Sequence, residues 1–503
     1  MHTKKKVAVI GSGFGGLSVA IRLQAQGCDV RIFEKRDMAG GRAYVYKEKG
    51  FTFDAGPTVI TAVECLEELF ELTGKKMSDY VKMIPVTPFY RLFWEDGYKF
   101  DYSNNTDELF SQIQKKSPED VKGYKDFLRY SKEVFDQGYT KLAAKPFLNI
   151  WSMIKVFPQL AKLQAHRSVY KTVSKYIKNE QLREAFSFHS LLVGGNPYNT
   201  SSIYTLIHYL ERNWGVFFPK GGTGALIQAM VRYFEELGGK ISYEAEISEI
   251  VTENNHVKGV RLGSGEVWNC ESVVSNGDVV HTYRDLLKTN LQAKKRSAQL
   301  QKSDFSMSLF LIYFGTTKQF PDLAHHNVMF GPRYKGLLDD IFTNGVLPDD
   351  FSLYLHRPNV SDTDLAPEGC DCFYVLAPVA HLGKLPIDWT KESDRYADTI
   401  LKYLDERYMP GLRDSIVVKK IFTPEDFKTE LNSHLGAAFS LEPKLTQSAY
   451  FRQHNRDSEI KGLYFVGAGT HPGAGVPGVV NSAKATAGLM QEDLNLKASS
   501  VHG

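Results

Sequence analysis

The sequence predicts an α/β protein: a Rossmann-like dinucleotide-binding domain interleaved with a mixed α+β second domain. Three observations carry this. A strand, a glycine turn, a helix and an acid-ended strand occupy the first 34 residues. The same alternation returns mid-chain at "GGTGALIQAMVRYFEELGGKISYEAEISEIV". Near the end, "FVGAGTHPGAGVPGVV", Phe465 to Val480, sets five glycines and two prolines between a strand-like run and a helix.

Lys4 to Ile10 reads as a buried strand, and "GSGFGG" follows it, with Gly11, Gly13 and Gly16 matching G-x-G-x-x-G at a strand-to-helix junction. Gly11 makes the turn, Gly13 lets backbone N–H groups touch a pyrophosphate, and Gly16 brings helix against strand. The helix places Phe14, Leu17, Ala20 and Ile21 on one side and stops at Gly27. The strand "DVRIFE" then ends in Glu34, roughly twenty residues beyond the glycines, where such units hold a ribose hydroxyl. Gly40, Gly41 and Arg42 form a second anion-friendly loop, its guanidinium suited to phosphate, which departs from a plain nicotinamide fold toward a flavoprotein.

In the middle of the chain Leu226, Ala229, Met230, Tyr233, Phe234 and Leu237 keep helical spacing until Gly238. A hairpin, "HVKGVRLGSGEVW", turns at Gly263 to Gly265. The C-terminal glycines bare a backbone that can wrap a flat or charged ligand. A helix is expected to start near Val479, with Val480, Ala483, Ala487 and Met490 on one face and its positive end toward that ligand. Runs such as "SMSLFLIYFG" and "FSLYLH" suit the walls of an apolar tunnel and equally suit any buried sheet.

Composition excludes several function classes. Lys+Arg 61 against Asp+Glu 58 leaves a net charge of +3, no field for nucleic acid. Five scattered cysteines make no disulfide framework and fit a reducing cytoplasm. The glycine-riddled N-terminus is no signal peptide, and no apolar run is long enough to span a bilayer. His325 and His326 are adjacent rather than spaced for chelation, so no metal is expected.

One segment is locally charged. Residues 137–179 hold no acid but eight cations, Lys141, Lys145, Lys155, Lys162, Arg167, Lys171, Lys175 and Lys178, interleaved with Trp151, Met153, Ile154, Phe157 and other apolar side chains. Such a mixture fits either a solvated basic face or a segment lying in an anionic membrane interface.

The stretches "VIGSGFGGL", "EKRDMAGGRAYVY", "GFTFDAGPTVI", "AFSFHSLLVGGNPYNTSSIYTLIHYLE" and "GAGTHPGAGVPGVVNSAKATAGLM" resemble the bacterial phytoene desaturases of carotenoid biosynthesis over nearly the whole chain. The resemblance implies an amine-oxidase-like flavoprotein architecture that binds FAD and dehydrogenates a C40 polyene, phytoene, toward lycopene. It implies cofactor contacts at Gly11, Gly13, Gly16, Glu34, Gly41, Arg42, Gly56, Pro57, Thr58, Ile247, Gly467, Gly469, Gly478 and Val479. It divides the chain into an FAD domain at 1–85, 214–299 and 442–503 and a substrate domain at 86–213 and 300–441.

The reaction takes a hydride to the flavin and loses a vicinal proton. His189, His281 and His471 are polar candidates, yet no catalytic residue is named, because a polyene cation makes the adjacent C–H acidic enough for a weak base. Since "GAGTHPG" has the wrong spacing for a second nucleotide site, a membrane quinone or dioxygen is the expected electron acceptor. A substrate this insoluble tips the basic segment toward peripheral membrane binding. Related carotenoid enzymes acting on a C30 precursor, a 3,4-bond or a terminal methyl share these motifs, and a non-catalytic prenyl-lipid carrier is the reading outside enzymology.

Overall fold

Val7, Ala8 and Val9 are all wholly buried, and a strand with no solvent face belongs inside a parallel sheet. In the computed structural model, which describes residues 4–148 and 150–496, that strand is the centre of one. The sheet consists of β1 (Lys6–Ile10), β2 (Asp29–Phe33), β3 (Lys240–Ser242), β4 (Ser272–Ser275) and β5 (Leu463–Phe465), ordered β5-β4-β1-β2-β3 and parallel throughout. Three remote parts of the chain therefore meet in one sheet.

Helix α1 (Phe14–Ala25) follows the first glycine turn. Helices α2 (Ile150–Lys162) and α3 (Leu206–Trp214) come from the intervening chain, and α4 (Thr223–Glu236) precedes β3. The run then ends with α5 (Trp389–Arg407) and α6 (Val476–Asp493). Helix α1 packs against both α4 and α6. The expected face of α6, Val480, Ala483, Ala487 and Met490, is buried in the same core as Leu17 and Ile21.

Helix α6 begins at Val476, three residues before the start near Val479 expected from sequence. Pro477 lies in its first turn, where a fixed φ suits the helix and the missing N–H leaves no donor stranded. The loop closes at Gly475, whose φ of +92° a side chain would strain, so Gly478 and Val479 sit inside the helix.

A seven-stranded mixed sheet forms the second layer, in the order Ile416–Phe422, Ser308–Thr316, Asp371–Val379, Leu353–His356, His326–Phe330, Tyr90–Trp94 and Lys99–Tyr102. Every residue of Ser308–Thr316 is buried. Alternation explains why: Phe310, Ile312 and Phe314 pack with Trp389, Tyr396 and Ile400 of α5, whereas Leu309, Leu311 and Tyr313 turn to the opposite face and line a cavity. The apolar run is core on one face and wall on the other.

The two faces should respond differently to truncation. Ile312→Ala should lower stability by about 2–5 kcal/mol in urea unfolding. Leu311→Ala, whose side chain already borders open space, should cost measurably less.

Candidate functional site

The cavity of about 620 Å³ runs between the two sheets. Its polar end is built from turns that follow parallel strands, as expected where the strand order reverses. After β1 come Gly11 to Gly15; after β2, Glu34 and then Gly40 to Arg42; after β4, Asn276 to Asp278; after β5, Gly467 and Ala468.

Two helices point bare N-termini at this end. The N-cap of α1 is Gly13 and that of α6 is Gly475; neither has a side-chain cap or an acid in its first turn. Helix α4 also opens on a glycine, Gly222, but there the buried Asp54 carboxylate accepts from the Thr223 and Gly224 N–H groups at 2.9 and 3.1 Å. Burial pushes the Asp54 carboxyl up to about 6. The chain thus caps the helix whose end is closed and leaves uncapped the two that open on the cavity, where orphan N–H groups and helix dipoles favour an anion.

Asn276, not anticipated from sequence, joins the head and tail of the chain. A Cβ on Gly15 would lie 2.6 Å from its Oδ1, and one on Gly467 2.8 Å from the same atom. Its own N–H donates to the Ile10 carbonyl at 3.0 Å. The signal available was a polar residue ending a buried strand in "SVVSNGD", which is too common to single out.

Most of the expected residues converge. Gly11, Gly13, Glu34, Gly41, Arg42, Gly56, Pro57, Thr58, Ile247, Gly467, Gly478 and Val479 all line the one cavity. Gly16 lies behind it, where a Cβ would fall 2.0 Å from the Gly11 carbonyl oxygen; it is the helix-to-strand contact the motif requires. Gly469 also stands back from the cavity, and a Cβ there would meet Val279 and Ser440 at 2.8 and 2.9 Å.

Glu34 is buried. Its Oε2 accepts from the Ser12 N–H and hydroxyl at 2.9 and 2.6 Å, and its Oε1 from the Arg36 N–H at 3.0 Å, so the acid also fastens the glycine loop. Arg42 donates from Nε to the Ala438 carbonyl and from Nη2 to Ser433 Oγ, at 2.8 and 3.0 Å. Burial lowers its guanidinium from the usual arginine value, and Asp278 opposes that shift. Pro57 accepts from the Thr223 hydroxyl, and Thr58 Oγ1 bonds the Tyr374 and Tyr354 hydroxyls at 2.6 and 3.2 Å.

Of the three candidate histidines, His281 and His471 line the cavity. His281 pairs with Asp285 at 2.8 Å, and His471 packs edge-on against Phe147. His189 stands outside the lining, 3.2 Å from Glu211 Oε2.

A glycine cradle, two uncapped helix ends, a buried carboxylate beside the first glycine turn and a guanidinium fit a flavin dinucleotide. Beyond them the cavity continues between Leu309, Leu311, Val328, Phe330 and Leu353. These five side chains offer only apolar contact and suit a hydrocarbon.

A family model described as flavin containing amine oxidoreductase matches residues 14–491. A curated protein of Pseudescherichia vulneris, "Phytoene desaturase (lycopene-forming)", is 58% identical over 490 residues, covering 97% of this chain and 100% of its own. A "4,4'-diapophytoene desaturase (4,4'-diapolycopene-forming)" of Methylomonas sp is 34% identical, covering 98% and 96%. Among solved structures, an oxidoreductase from Methanosarcina mazei aligns with a TM-score of 0.63 at 17% identity, over 95% of this chain and 98% of that one, a likeness of fold.

The cradle makes a sharp expectation. Gly16→Ala forces a methyl into the Gly11 carbonyl, so the purified variant should lack flavin absorption bands, and the wild type should show them.

Proposed function

The chain belongs to the flavin containing amine oxidoreductase family and, within it, to the phytoene desaturases, and from that premise we propose that it desaturates phytoene to lycopene. It is an FAD-dependent oxidoreductase. The observation that carries the reading is the single cavity that joins the uncapped ends of α1 and α6 to walls of leucine and phenylalanine.

The bound flavin supplies the acceptor for a hydride from an allylic carbon of the substrate. The chain's own contribution is position and environment. Gly11, Gly13 and Glu34 would hold the pyrophosphate and ribose, and Ile247 would meet the adenine. Gly41, Arg42, Gly56, Pro57 and Thr58 would border the rest of the cofactor with Gly467, Gly478 and Val479. The N-terminus of α6 favours negative charge accumulating on the cofactor. Leu309, Leu311 and Phe330 exclude water and let a polyene slide without a directional contact to break. The five-stranded sheet would thus carry the cofactor, and the seven-stranded sheet the substrate.

The 58% identity to a lycopene-forming relative, against 34% to one named for diapophytoene, supports a C40 substrate. Electrons would pass on to a membrane quinone or dioxygen.

Helix α2 supports delivery from lipid. Its Val156 and Leu160 line the cavity, whereas Trp151 and Phe157 are 68% and 65% exposed on the outside. Lys145, Lys162, Lys171, Lys175 and Lys178 are exposed nearby in the chain; the side chains of Met153, Ile154 and Lys155 lie outside the described residues. The helix runs through Pro158, and no helix among the described residues is long and apolar enough to cross a membrane. Each buried CH₂ is worth about 0.8 kcal/mol, so a C40 hydrocarbon would stay in lipid until a protein cavity meets it there. We therefore place the exposed face of α2 in an anionic bilayer surface.

Two measurements test this reading. Protein loaded with FAD and given phytoene in liposomes should yield extracted products with the visible bands of lycopene; colourless extracts would refute the reaction. On flotation, the wild type should follow anionic vesicles, and a variant with Lys145, Lys162, Lys171 and Lys175 changed to glutamate should stay in the aqueous fraction.

A further inference from the structure

Dehydrogenating a CH–CH unit breaks two C–H bonds and forms one C=C bond. One hydrogen leaves with its electron pair, as hydride to the flavin. The other leaves its pair behind in the new π bond and departs as a proton. A wall of leucine and phenylalanine offers that proton no partner, so a polar route out is required.

A line of polar groups leaves the cavity at Thr58, hydrogen-bonded as far as His326 and again from His325 to Ser361. Thr58, Tyr354 and Tyr374 all line the cavity and share hydrogen bonds. The Tyr354 hydroxyl bonds His326 Nδ1 at 2.7 Å. His326 belongs to a buried group with His325 and His356, and one ring nitrogen from each lies within 4.8 Å of the others. The Nε2 atoms of His325 and His326 and both ring nitrogens of His356 have no hydrogen-bond partner, which leaves the three rings to be joined by water. From His325, Nδ1 bonds the hydroxyl of half-buried Ser361 at 2.7 Å, next to exposed Val360.

The adjacency of His325 and His326 in sequence argues against their chelating like a spaced pair, yet their ring nitrogens can face one another across a shared space. This is so because His325 sits in a bend ahead of the strand His326–Phe330, and antiparallel pairing sets His356 opposite His326.

We propose that Thr58, Tyr354, His326, His356, His325 and Ser361 form a proton relay from the cavity to the surface. The proposal rests on the reading of the cavity given above. A spacing within 4.8 Å accommodates a bridging water without movement of the rings. A water bonded at about 2.8 Å to two nitrogens holds them roughly 4.6 Å apart, whereas zinc with bonds of about 2.1 Å would draw them to about 3.4 Å. No carboxylate belongs to the group, and the nearby Asp371 is engaged by Arg357 at 2.9 Å, so a dication would be buried uncompensated. Neutral imidazole accepts a proton at one nitrogen while releasing one from the other. Burial depresses all three histidines far below the usual value, so none retains the proton.

The test uses the FAD-loaded protein with phytoene in liposomes and two variants, Tyr354→Phe, which removes one oxygen, and His326→Gln. Both should keep the flavin spectrum and the melting temperature of the wild type and form polyene about 10²-fold more slowly. The loss should fall on kcat rather than KM, with a solvent deuterium isotope effect that the wild type lacks. Full rates in both folded, flavin-loaded variants would overturn the relay. One equivalent of zinc in the purified wild type, lost in His356→Ala, would overturn it in favour of a metal site. A wild type that forms no polyene would instead refute the function reading, and the relay with it.

Discussion

The site depends on bare backbone being allowed to touch bare backbone. Around Asn276, the glycines that follow β1 and the glycine that follows β5 approach so closely that a single added methyl on Gly15 or Gly467 would collide with one side-chain oxygen. Parallel pairing puts the C-terminal ends of β1, β4 and β5 on one edge, and the glycines let their turns fold inward together. The two helix N-termini then point at the same space, so the anion-binding geometry follows from the sheet rather than from any single basic residue.

The second sheet solves a different problem. A hydrocarbon guest gives no directional bond, so the wall must be continuous and held from behind. Ser308–Thr316 meets this by burying both faces, one against α5 and one along the cavity. Polar groups beside that wall include the mutually bonded hydroxyls of Thr58, Tyr354 and Tyr374.

Legibility in the sequence followed the range of the interaction. The first glycine turn, the stop at Gly27 and the apolar face of α6 are local patterns and were readable. Sequence alone starts α6 too late because Gly478 looks like loop, whereas Pro477 in a first turn is compatible with helix. Gly469 looked equivalent to Gly467 but packs on Val279 and Ser440 behind the wall. Asn276, and the grouping of His356 with His325 and His326, are not legible in sequence because they come from strand order and register, and a bend at His325 defeats the usual alternation.

The hold of Glu34 on Ser12 has a thermodynamic consequence. Because the carboxylate pins the first glycine loop through protein contacts alone, the loop is already ordered before any guest arrives, and association need not include the entropy of freezing it. Such pre-ordering reduces the share of the binding energy spent on fixing the loop.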